Sequence, residues 1–404
     1  MLSTLIYRSR MQEGLAAHEI EAITSAARAR NDALQVTGIL LFDGLHFIQV
    51  LEGPDVAVDG LFESISRDQR HCHVVRLLRD YAPSRRFASM GMELLDLRHY
   101  HAGGGLDALL ARVTATGSQT YEDRVLKILR PYAEGGWKDH FVEGTDAAQW
   151  IFPPVDDALP LQARRLRDGQ PCQFALQPIV EPLSRTISSY EALLRSASGG
   201  PPDEYFSSLP KEKLYEADLR SKVHAFELIN ELGIRDCKLS INLFPMSLVA
   251  LPDAVDILLR QISDATLTPQ QVIVEVTEQE AISDLKTFAS AIAELRRAGI
   301  GVAIDDFGAG FAGLSLLAEF QPDKLKIDRT IINAIHTDGA RQAIVRSMLQ
   351  ACAAMGITPV AEGVETVEEW CWLQAAGVER FQGYLFAKPA LNSAPPVRWP
   401  EAAR

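Results

Sequence analysis

Residues 301–311 read GVAIDDFGAGF, and this stretch carries the most information in the chain. The apolar run at 302–304 is short and bounded by glycine, which predicts a buried β-strand. Asp305 and Asp306 close that run, and adjacent carboxylates repel each other unless a positive charge lies near them. Either a divalent cation binds the pair, or Asp306 caps the following turn through backbone N–H groups. The surrounding sequence has to decide between these interpretations.

Predicted strands and amphipathic helices, such as the helix at 284–297, alternate from about Cys172 onward. The strand candidates are FALQPIV, KLSINLF, QVIVEVTE, GVAIDDFG, KLKID, ITPVAEGVE and RFQGYLF. Repeated βα units of this kind predict a (β/α)-barrel or else an open doubly wound sheet. The region has no G-x-G-x-x-G and no Walker loop, which disfavours a nucleotide-binding open sheet.

Nearly every strand candidate ends in a polar side chain that a packed core would not favour. The set comprises Gln177, Asn242, Glu275, Glu278, Asp305, Asp306, Lys326, Asp328, Glu362, Glu365 and Gln382. Glu191 adds a carboxylate at the start of EALLR, a run with a helix-like pattern. In a (β/α)-barrel these strand ends meet at one mouth, and so many polar ends cannot all be caps pointing at one place. Oxygen ligands without thiolates or a histidine pair favour Mg²⁺ or Mn²⁺ over Zn²⁺, and two such ions suit displacement at phosphorus.

Residues from about Phe174 to Pro389 resemble an EAL domain, a family of cyclic-di-GMP phosphodiesterases. The motifs EALLR, SIN, EVTE, DDFGAG, LKID, AEGVE and QGY occur in family order. The resemblance implies a modified TIM (β/α)8 barrel that hydrolyses cyclic di-GMP to linear pGpG with two Mg²⁺ or Mn²⁺ ions. One departure is AGFA at 309–312, where the family often has TGYS, and it concerns the loop rather than a ligand.

The same resemblance implies a role for each matching residue. The metal ligands would be Glu191, Asn242, Glu275, Asp305, Asp306 and Glu362, with Asp305 bridging the two ions. The residues acting in catalysis would be Lys326, Glu362, Glu278 and Glu191. Lys326 would partner the attacking water, either as base or by steadying it, and Glu278 would anchor the loop after DDFG in activation linked to dimerisation. Substrate contacts would come from Gln177, Arg195 and Gln382. Of these, Arg195 has a forked guanidinium that suits a phosphate.

The first ninety-odd residues predict a small α+β unit in the order β-α-β-β-α-β-β, which suggests a ferredoxin-like sheet with both helices on one face. Asp43-Gly44 joins two apolar runs and is a strong hairpin signal. Two apolar stripes follow, at 106–113 and at 125–129, and the second is stopped by Pro131. They predict connector helices rather than a domain core. The expected domains are 1–95, a connector at 96–160, and 161–404.

Residues 1 to about 95 resemble a BLUF domain, a blue-light sensor that binds a flavin without a covalent bond. The residues that carry the resemblance are Tyr7, Arg30, Asn31, Gln49 and Met92. The resemblance implies FAD or FMN as the cofactor, electron and proton transfer from Tyr7 in light, and then rearranged hydrogen bonds at Gln49. Many members have tryptophan two residues before this methionine, where this chain has Met90, so signalling through that tryptophan cannot apply unaltered.

Composition limits the possible functions of the 404 residues. A net charge of −13 disfavours binding to polymeric nucleic acid, which requires a basic face. Five scattered cysteines without a CxxC pair predict a reducing compartment and no disulfide framework. No apolar stretch approaches the roughly 20 residues needed to span a membrane. We therefore expect a cytoplasmic protein that does not bind membranes.

Together these patterns predict a blue-light-regulated cyclic-di-GMP phosphodiesterase, expected from family habit to be a homodimer that light activates. Two other classes stay open. The chain could be a light-responsive receptor that binds cyclic di-GMP without turnover. It could also be a flavin oxidoreductase, which the missing nicotinamide fingerprint and redox cysteine pair disfavour.

Overall fold

The computed structural model divides into two compact units. Unit 1 comprises Met1–Gly144 and Ala334–Ile344, and unit 2 comprises Thr145–Asn333 and Val345–Arg404. The residues described are 2–12, 17–81, 85–87, 92–100, 104–113, 123–135, 142–155, 169–251, 253–277, 285–309, 317–318 and 321–403. Within these ranges, no helix has the length and apolar character needed to cross a membrane.

Unit 1 is built on a five-stranded sheet. Its strands are β1 (Leu2–Met11), β2 (Thr37–Phe42), β3 (His46–Pro54), β4 (His71–Tyr81) and β5 (Glu93–Asp96), in the order β4-β1-β3-β2-β5. Only the β2–β5 pair is parallel. The predicted hairpin joins β2 and β3, where Gly44 takes a φ of 107° and Asp43 Oδ1 accepts the backbone N–H of His46 at 2.7 Å. Glycine adopts this conformation without steric cost, so the turn sequence fixes the register.

Helices α1 (Ala17–Ala33) and α2 (Asp55–Ser66) supply the first layer over this sheet. Val58 and Leu61 of α2 pack with Leu5 and Leu51 of the sheet and with Met92 in one buried cluster. The predicted ferredoxin-like unit is confirmed.

The opposite face of the sheet is also covered, by α3 (Gly104–Leu110) and α4 (Arg124–Ala133). Leu109, Val125 and Leu129 are fully buried in a second core cluster that includes Ile48 of β3. The two helices predicted as connectors therefore also form core. The expectation that Pro131 stops the second helix is wrong, because this proline lies inside α4, in the last turn, where only one intrahelical N–H bond is lost.

The segment Ala334–Ile344 is distant in sequence from the rest of unit 1 but belongs to it. Arg8 Nη2 donates to Gln342 Oε1 at 3.2 Å, and both side chains are buried. Arg76 lies 3.9 Å from the carboxylate of Asp338 and forms a backbone bridge with that residue. Unit 1 is therefore assembled from two separate parts of the chain.

Unit 2 contains a closed eight-stranded barrel. Its strands are β7 (Cys172–Glu181), β8 (Thr186–Ser196), β9 (Lys238–Asn242), β10 (Val272–Thr277), β11 (Gly301–Phe307), β12 (Lys324–Ile327), β13 (Thr358–Ala361) and β14 (Arg380–Phe381). They follow one another in sequence order around the barrel, and pairing of β14 with β7 closes it. Strand β7 is antiparallel to both neighbours, whereas all other pairs are parallel. Closure excludes the open sheet, and the modified TIM barrel is confirmed.

The other elements of unit 2 surround these strands. The helices are α5 (Pro202–Ser207), α6 (Leu214–Glu231), α7 (Pro245–Val249), α8 (Ala254–Asp264), α9 (Leu285–Arg297), α10 (Arg329–Ile332), α11 (Gly339–Met355), which begins in unit 1, and α12 (Val367–Ala375). Short strands β6 (Trp150–Ile151) and β16 (Glu401–Ala402) pair with each other, and β15 (Ala390–Leu391) pairs with β7.

The helix-like interpretation of EALLR is wrong. Glu191 lies in the middle of strand β8, directly opposite Gln177 of β7. Alanine, leucine and arginine all favour helices in isolation, but pairing with strands on both sides overrides that local preference. The strand carries Glu191 into the barrel.

Candidate functional site

Lys326 is the centre of the polar cluster inside the barrel. Its side chain is 1% exposed. Its Nζ lies 2.6 Å from Glu275 Oε2, 2.6 Å from Glu362 Oε1, 3.0 Å from Asp305 Oδ1 and 3.1 Å from Glu191 Oε2. Strand ends predicted to meet at one mouth do meet there.

Parallel pairing explains how these side chains come together. Glu275 of β10 lies beside Asn242 of β9, and Asp305 of β11 lies beside Thr277 at the end of β10. Because side chains alternate along a strand, Glu275 points into the barrel while its neighbours Val274 and Val276 are buried in the core. The apolar-polar-apolar order of VIVEVT is thus the local signal for an inward carboxylate.

Amide side chains orient the carboxylate of Glu191. Asn242 Nδ2 donates to Glu191 Oε1 at 2.7 Å, and Gln382 Nε2 donates to Glu191 Oε2 at 2.8 Å. The same Gln382 nitrogen lies 3.0 Å from Gln177 Oε1, while Gln177 Nε2 donates to the carbonyl of Ala387 at 3.1 Å. Two of the three residues predicted to contact substrate therefore belong to the buried network of the site.

The carboxylates form two groups suited to a cation each, and the groups share one member. Glu191, Glu275 and Asp305 offer oxygen atoms within 4.8 Å of one another, and so do Asp305, Asp306 and Glu362. Glu275 Oε1 is buried without a hydrogen-bond partner among the described residues. A buried carboxylate oxygen in that state is suited to coordinating a cation, so the donor set fits two hard divalent ions.

The alternative of a capping role for Asp306 finds no support among the described residues. No described backbone N–H donates to its side chain; instead its own N–H donates to Asp305 Oδ1 at 2.9 Å. Asp328 does cap a helix, because its Oδ1 accepts the N–H of Thr330 in α10 at 2.8 Å. Glu365 pairs with Arg329 at 2.8 Å outside the cluster. The described members of the polar set predicted from the strand ends thus divide into cluster residues and ordinary surface or cap residues.

The charges in the cluster perturb one another strongly. Burial lowers the pKa of Lys326, but the carboxylates around it outweigh that effect and hold it well above its ordinary value. Burial and the neighbouring acids raise the pKa of Glu275 to about 7, despite the opposing effect of Lys326. Burial and Asp305 raise the pKa of Asp306 to about 6. One lysine cannot neutralise this many carboxylates, so the site has room for more positive charge.

Two predicted residues stand apart from this cluster. Arg195 lies four residues beyond Glu191 on β8, is half-buried, and donates to the carbonyl of Leu194 at 2.8 Å. Glu278 lies outside the described residues, as do most of the AGFA stretch and Met90.

Unit 1 holds a second site, a cavity between the sheet and its first helical layer. All five residues predicted to contact the flavin line it: Tyr7, Arg30, Asn31, Gln49 and Met92. Asp68, Arg70 and His71 also line it and were not predicted. Their signal was available in the sequence, since DQRH places several charged or titratable side chains immediately before a strand.

Hydrogen bonds connect the polar residues of this cavity in a row. The Tyr7 hydroxyl donates to Gln49 Oε1, and Gln49 Nε2 lies 3.2 Å from Met92 Sδ. Burial raises the pKa of Tyr7 well above its ordinary value, so its hydroxyl is neutral and can donate. Strand register places Tyr7 directly opposite Gln49 in the β1–β3 pair. An apolar slot with an amide at its centre suits the ring of a flavin.

Comparisons with known proteins agree with both sites. The sequence profile of the EAL domain matches residues 162–389, and the profile of sensors of blue light using FAD matches residues 2–93. Escherichia coli blue light- and temperature-regulated antirepressor BluF is 44% identical over 401 residues, covering 99% of this chain and 100% of that protein.

Solved structures and an enzyme give further similarities. Klebsiella pneumoniae BlrP1 in a manganese and cyclic-diGMP complex is 45% identical with a TM-score of 0.93 and 100% coverage of both chains. The structure of the same protein with FMN and cyclic diGMP is 41% identical, with a TM-score of 0.88 and 100% coverage of both chains. Pseudomonas aeruginosa cyclic di-GMP phosphodiesterase RocR is 37% identical over 153 residues, covering 37% of this chain and 38% of that enzyme.

Proposed function

The chain belongs to the EAL-domain family and carries a BLUF domain, and we propose that it is a blue-light-regulated phosphodiesterase that hydrolyses cyclic di-GMP to linear pGpG. One observation carries the proposal: two groups of carboxylates share Asp305 beside a buried lysine. A site that only recognised a dinucleotide would not need five acidic side chains, since these repel an anionic ligand.

Divalent Mg²⁺ or Mn²⁺ ions would be held by Glu191, Asn242, Glu275, Asp305, Asp306 and Glu362. Such ions supply charge that neutralises a phosphodiester and activate water for attack at phosphorus. The Lys326 ammonium, kept protonated by its carboxylate neighbours, steadies the attacking oxygen and the charge that develops on the phosphate. Asn242 and Gln382 hold Glu191 in one orientation, and Arg195 binds a phosphate oxygen with its forked donors.

The cavity of unit 1 would hold FAD or FMN, contacted by Asn31 and Arg30 and faced by Gln49. A bound flavin supplies absorption of blue light and acceptance of an electron. Tyr7 would supply the electron and, along its hydrogen bond to Gln49, a proton; both would return to Tyr7, leaving the amide of Gln49 with changed partners at Met92. The change in this row of hydrogen bonds is the signal that raises turnover in the barrel.

Cyclic di-GMP turnover by the flavin-loaded chain with Mn²⁺ or Mg²⁺, in darkness and in blue light, tests the proposal. We expect linear pGpG as the product and a higher rate in light. Glu191→Gln should lower the rate about 100-fold or more, because it removes an anionic ligand while keeping the shape. Glu365→Gln is the matched control, since this glutamate pairs with Arg329 away from the cluster. Absence of cyclic di-GMP turnover with both Mn²⁺ and Mg²⁺ would refute the proposed phosphodiesterase activity.

A second function is favoured by the full-length similarity to an antirepressor: binding of cyclic di-GMP without turnover, with output through a protein partner. Calorimetry separates the two functions. Tight binding of cyclic di-GMP by the wild type, with no pGpG formed after prolonged incubation, would establish the receptor. Hydrolysis that disappears in Glu191→Gln would establish the enzyme.

We further propose that the protein is a cytoplasmic homodimer, with Glu278 supporting the loop after Asp306. Sedimentation of the purified chain at micromolar concentration tests the dimer. Glu278→Gln should reduce the effect of light on turnover more than it reduces binding of metal.

A further inference from the structure

Glu52 is a buried carboxylate on the face of the unit 1 sheet that lies opposite the flavin cavity. It is 0% exposed. Its Oε2 accepts the backbone N–H groups of Arg86 at 2.8 Å and Phe87 at 3.1 Å, and its Oε1 accepts Arg86 Nη1 at 3.0 Å. One carboxylate on β3 therefore holds both the backbone and the side chain of residue 86. A buried charge of this kind persists only when it is fully partnered.

Arg86 makes a second charged contact, with the start of helix α4. Its Nε donates to Asp123 Oδ2 at 2.7 Å. The other oxygen of the same carboxylate caps α4, accepting the N–H groups of Val125 at 2.9 Å and Leu126 at 3.2 Å. Arg86 thus connects a strand of the sheet to the first turn of a helix through two carboxylates.

The flavin cavity involves the same strand, β3, through Gln49. Gln49 lies three positions before Glu52 on β3, so the two side chains point to opposite faces of the sheet. Gln49 also contacts Met92 Sδ, and Met92 follows the residue pair Arg86-Phe87 by only a few positions. A change in the hydrogen bonds of Gln49 therefore arises three residues along β3 from Glu52, the carboxylate that holds Arg86.

We propose that Arg86 is a positioning residue that couples helix α4 to the hydrogen bonds of Gln49. When those bonds rearrange in light, the Arg86–Asp123 contact changes, and with it the protection of the first turn of α4. The inference rests on the proposed light response of the cavity and is independent of cyclic-di-GMP turnover.

Hydrogen exchange of the flavin-loaded full chain, in darkness and under blue light, tests this coupling at the peptide that contains α4. Asp123→Asn is the sharpest variant. Its Oδ1 still caps Val125 and Leu126, but its Nδ2 then faces Arg86 Nε, and two donors cannot bond. We expect a light–dark difference at α4 in the wild type and loss of that difference in Asp123→Asn. The spectral shift of the flavin should be the same in both.

Arg124→Gln is the matched control, because Arg124 is exposed and pairs with Asp80 on β4, whereas the tested contact joins Arg86 to Asp123. It should keep the wild-type light–dark difference. Arg86→Gln should behave like Asp123→Asn; if it fails to fold, Asp123→Asn alone decides, since its cap is intact. An unchanged α4 in illuminated wild type, or a full light–dark difference in Asp123→Asn, would overturn the coupling. Failure of cyclic-di-GMP turnover alone would overturn the proposed enzyme and leave this inference standing.

Discussion

Asp306 combines an unusual backbone conformation with a raised side-chain pKa. Its φ of 52° lies in the left-handed region, which aspartate and asparagine tolerate better than other residues that carry a Cβ. Burial and Asp305 also raise its pKa to about 6, so the folded chain without metal disfavours the charged form. A bound cation would reverse that preference. The residue therefore lowers stability without metal and serves the site when metal is bound.

Asp306→Asn should separate these effects. The folded pKa of about 6 lies above the unfolded value of 3.8, so the carboxylate begins to destabilise the metal-free fold as the pH rises past the unfolded pKa, and the effect is complete above about pH 6. We expect the variant to match the wild type at pH 4 and to exceed its stability at pH 8, measured by urea unfolding with chelator. Its affinity for Mn²⁺ should fall. Asp306→Ala serves as the comparison and should be less stable than Asp306→Asn by about 1 kcal/mol, because alanine tolerates this φ poorly.

Many individual residues of the site could be predicted from the sequence, and the contacts that could not be predicted have physical causes. Asp305 was predictable because a carboxylate that closes an apolar run requires compensation, and Glu275 because it lies between two valines of an apolar strand. The sharing of Gln382 Nε2 between Glu191 and Gln177 was not, because it depends on how β14 meets β7 to close the barrel. Arg70 was missed since a charged side chain at a strand start usually faces solvent.

For helices α3 and α4, an apolar stripe in the sequence predicts the helix but not the surface against which it packs. The stripe at 125–129 predicts a helix with one buried face, but it does not say which surface that face meets. The two helical layers of unit 1 pack against alternate side chains of the same strands, and only the contact of α4 with residues such as Ile48 places it on the face opposite the cavity. The strand at Glu191 was missed because the helix preference of EALLR is local, whereas its pairing with β7 and β9 is set by the barrel.

Leu129→Ala tests the core role of α4. This side chain is fully buried against the sheet, so its truncation should cost about 2–5 kcal/mol through lost transfer energy and the cavity left behind. Ile128→Ala, at a half-buried position of the same helix, should cost clearly less. Denaturant unfolding followed by flavin release measures both. Equal and small losses would mean that α4 contributes little to the stability of unit 1.

The chain has two compact units, one built on a five-stranded sheet and one on a barrel, and we expect them to unfold in separate transitions. A chain of this kind violates the two-state approximation, and each unit can respond separately to pH. Unit 1 has a titrating group in His46, which is 5% exposed and hydrogen-bonded to Glu143 and Asp43. Burial lowers the pKa of His46, but these two carboxylates outweigh it and raise the value.

Because the pKa of His46 is raised in the folded state, the direction in which the stability of unit 1 changes with pH can be stated. Protonated His46 stabilises the fold fully below its unfolded pKa of about 6.5, and this contribution is lost as pH rises through the folded value. Thermal unfolding monitored by flavin fluorescence should therefore show a falling midpoint over that window. His46→Gln should flatten that dependence. A wild-type midpoint that rises through the same window would contradict the assignment.

The assembly of unit 1 from two stretches of chain bears on how such proteins can be recombined. A gene fragment ending at Gly144 would encode Arg8 and Arg76 without Gln342 and Asp338, leaving a buried guanidinium short of an amide acceptor. Grafting the sensor onto a foreign effector would therefore require transplanting residues 334–344 as well, or redesigning the surface they cover. Exchange of this sensor unit between lineages is therefore constrained by eleven residues, 334–344, that a linear domain map assigns to the barrel.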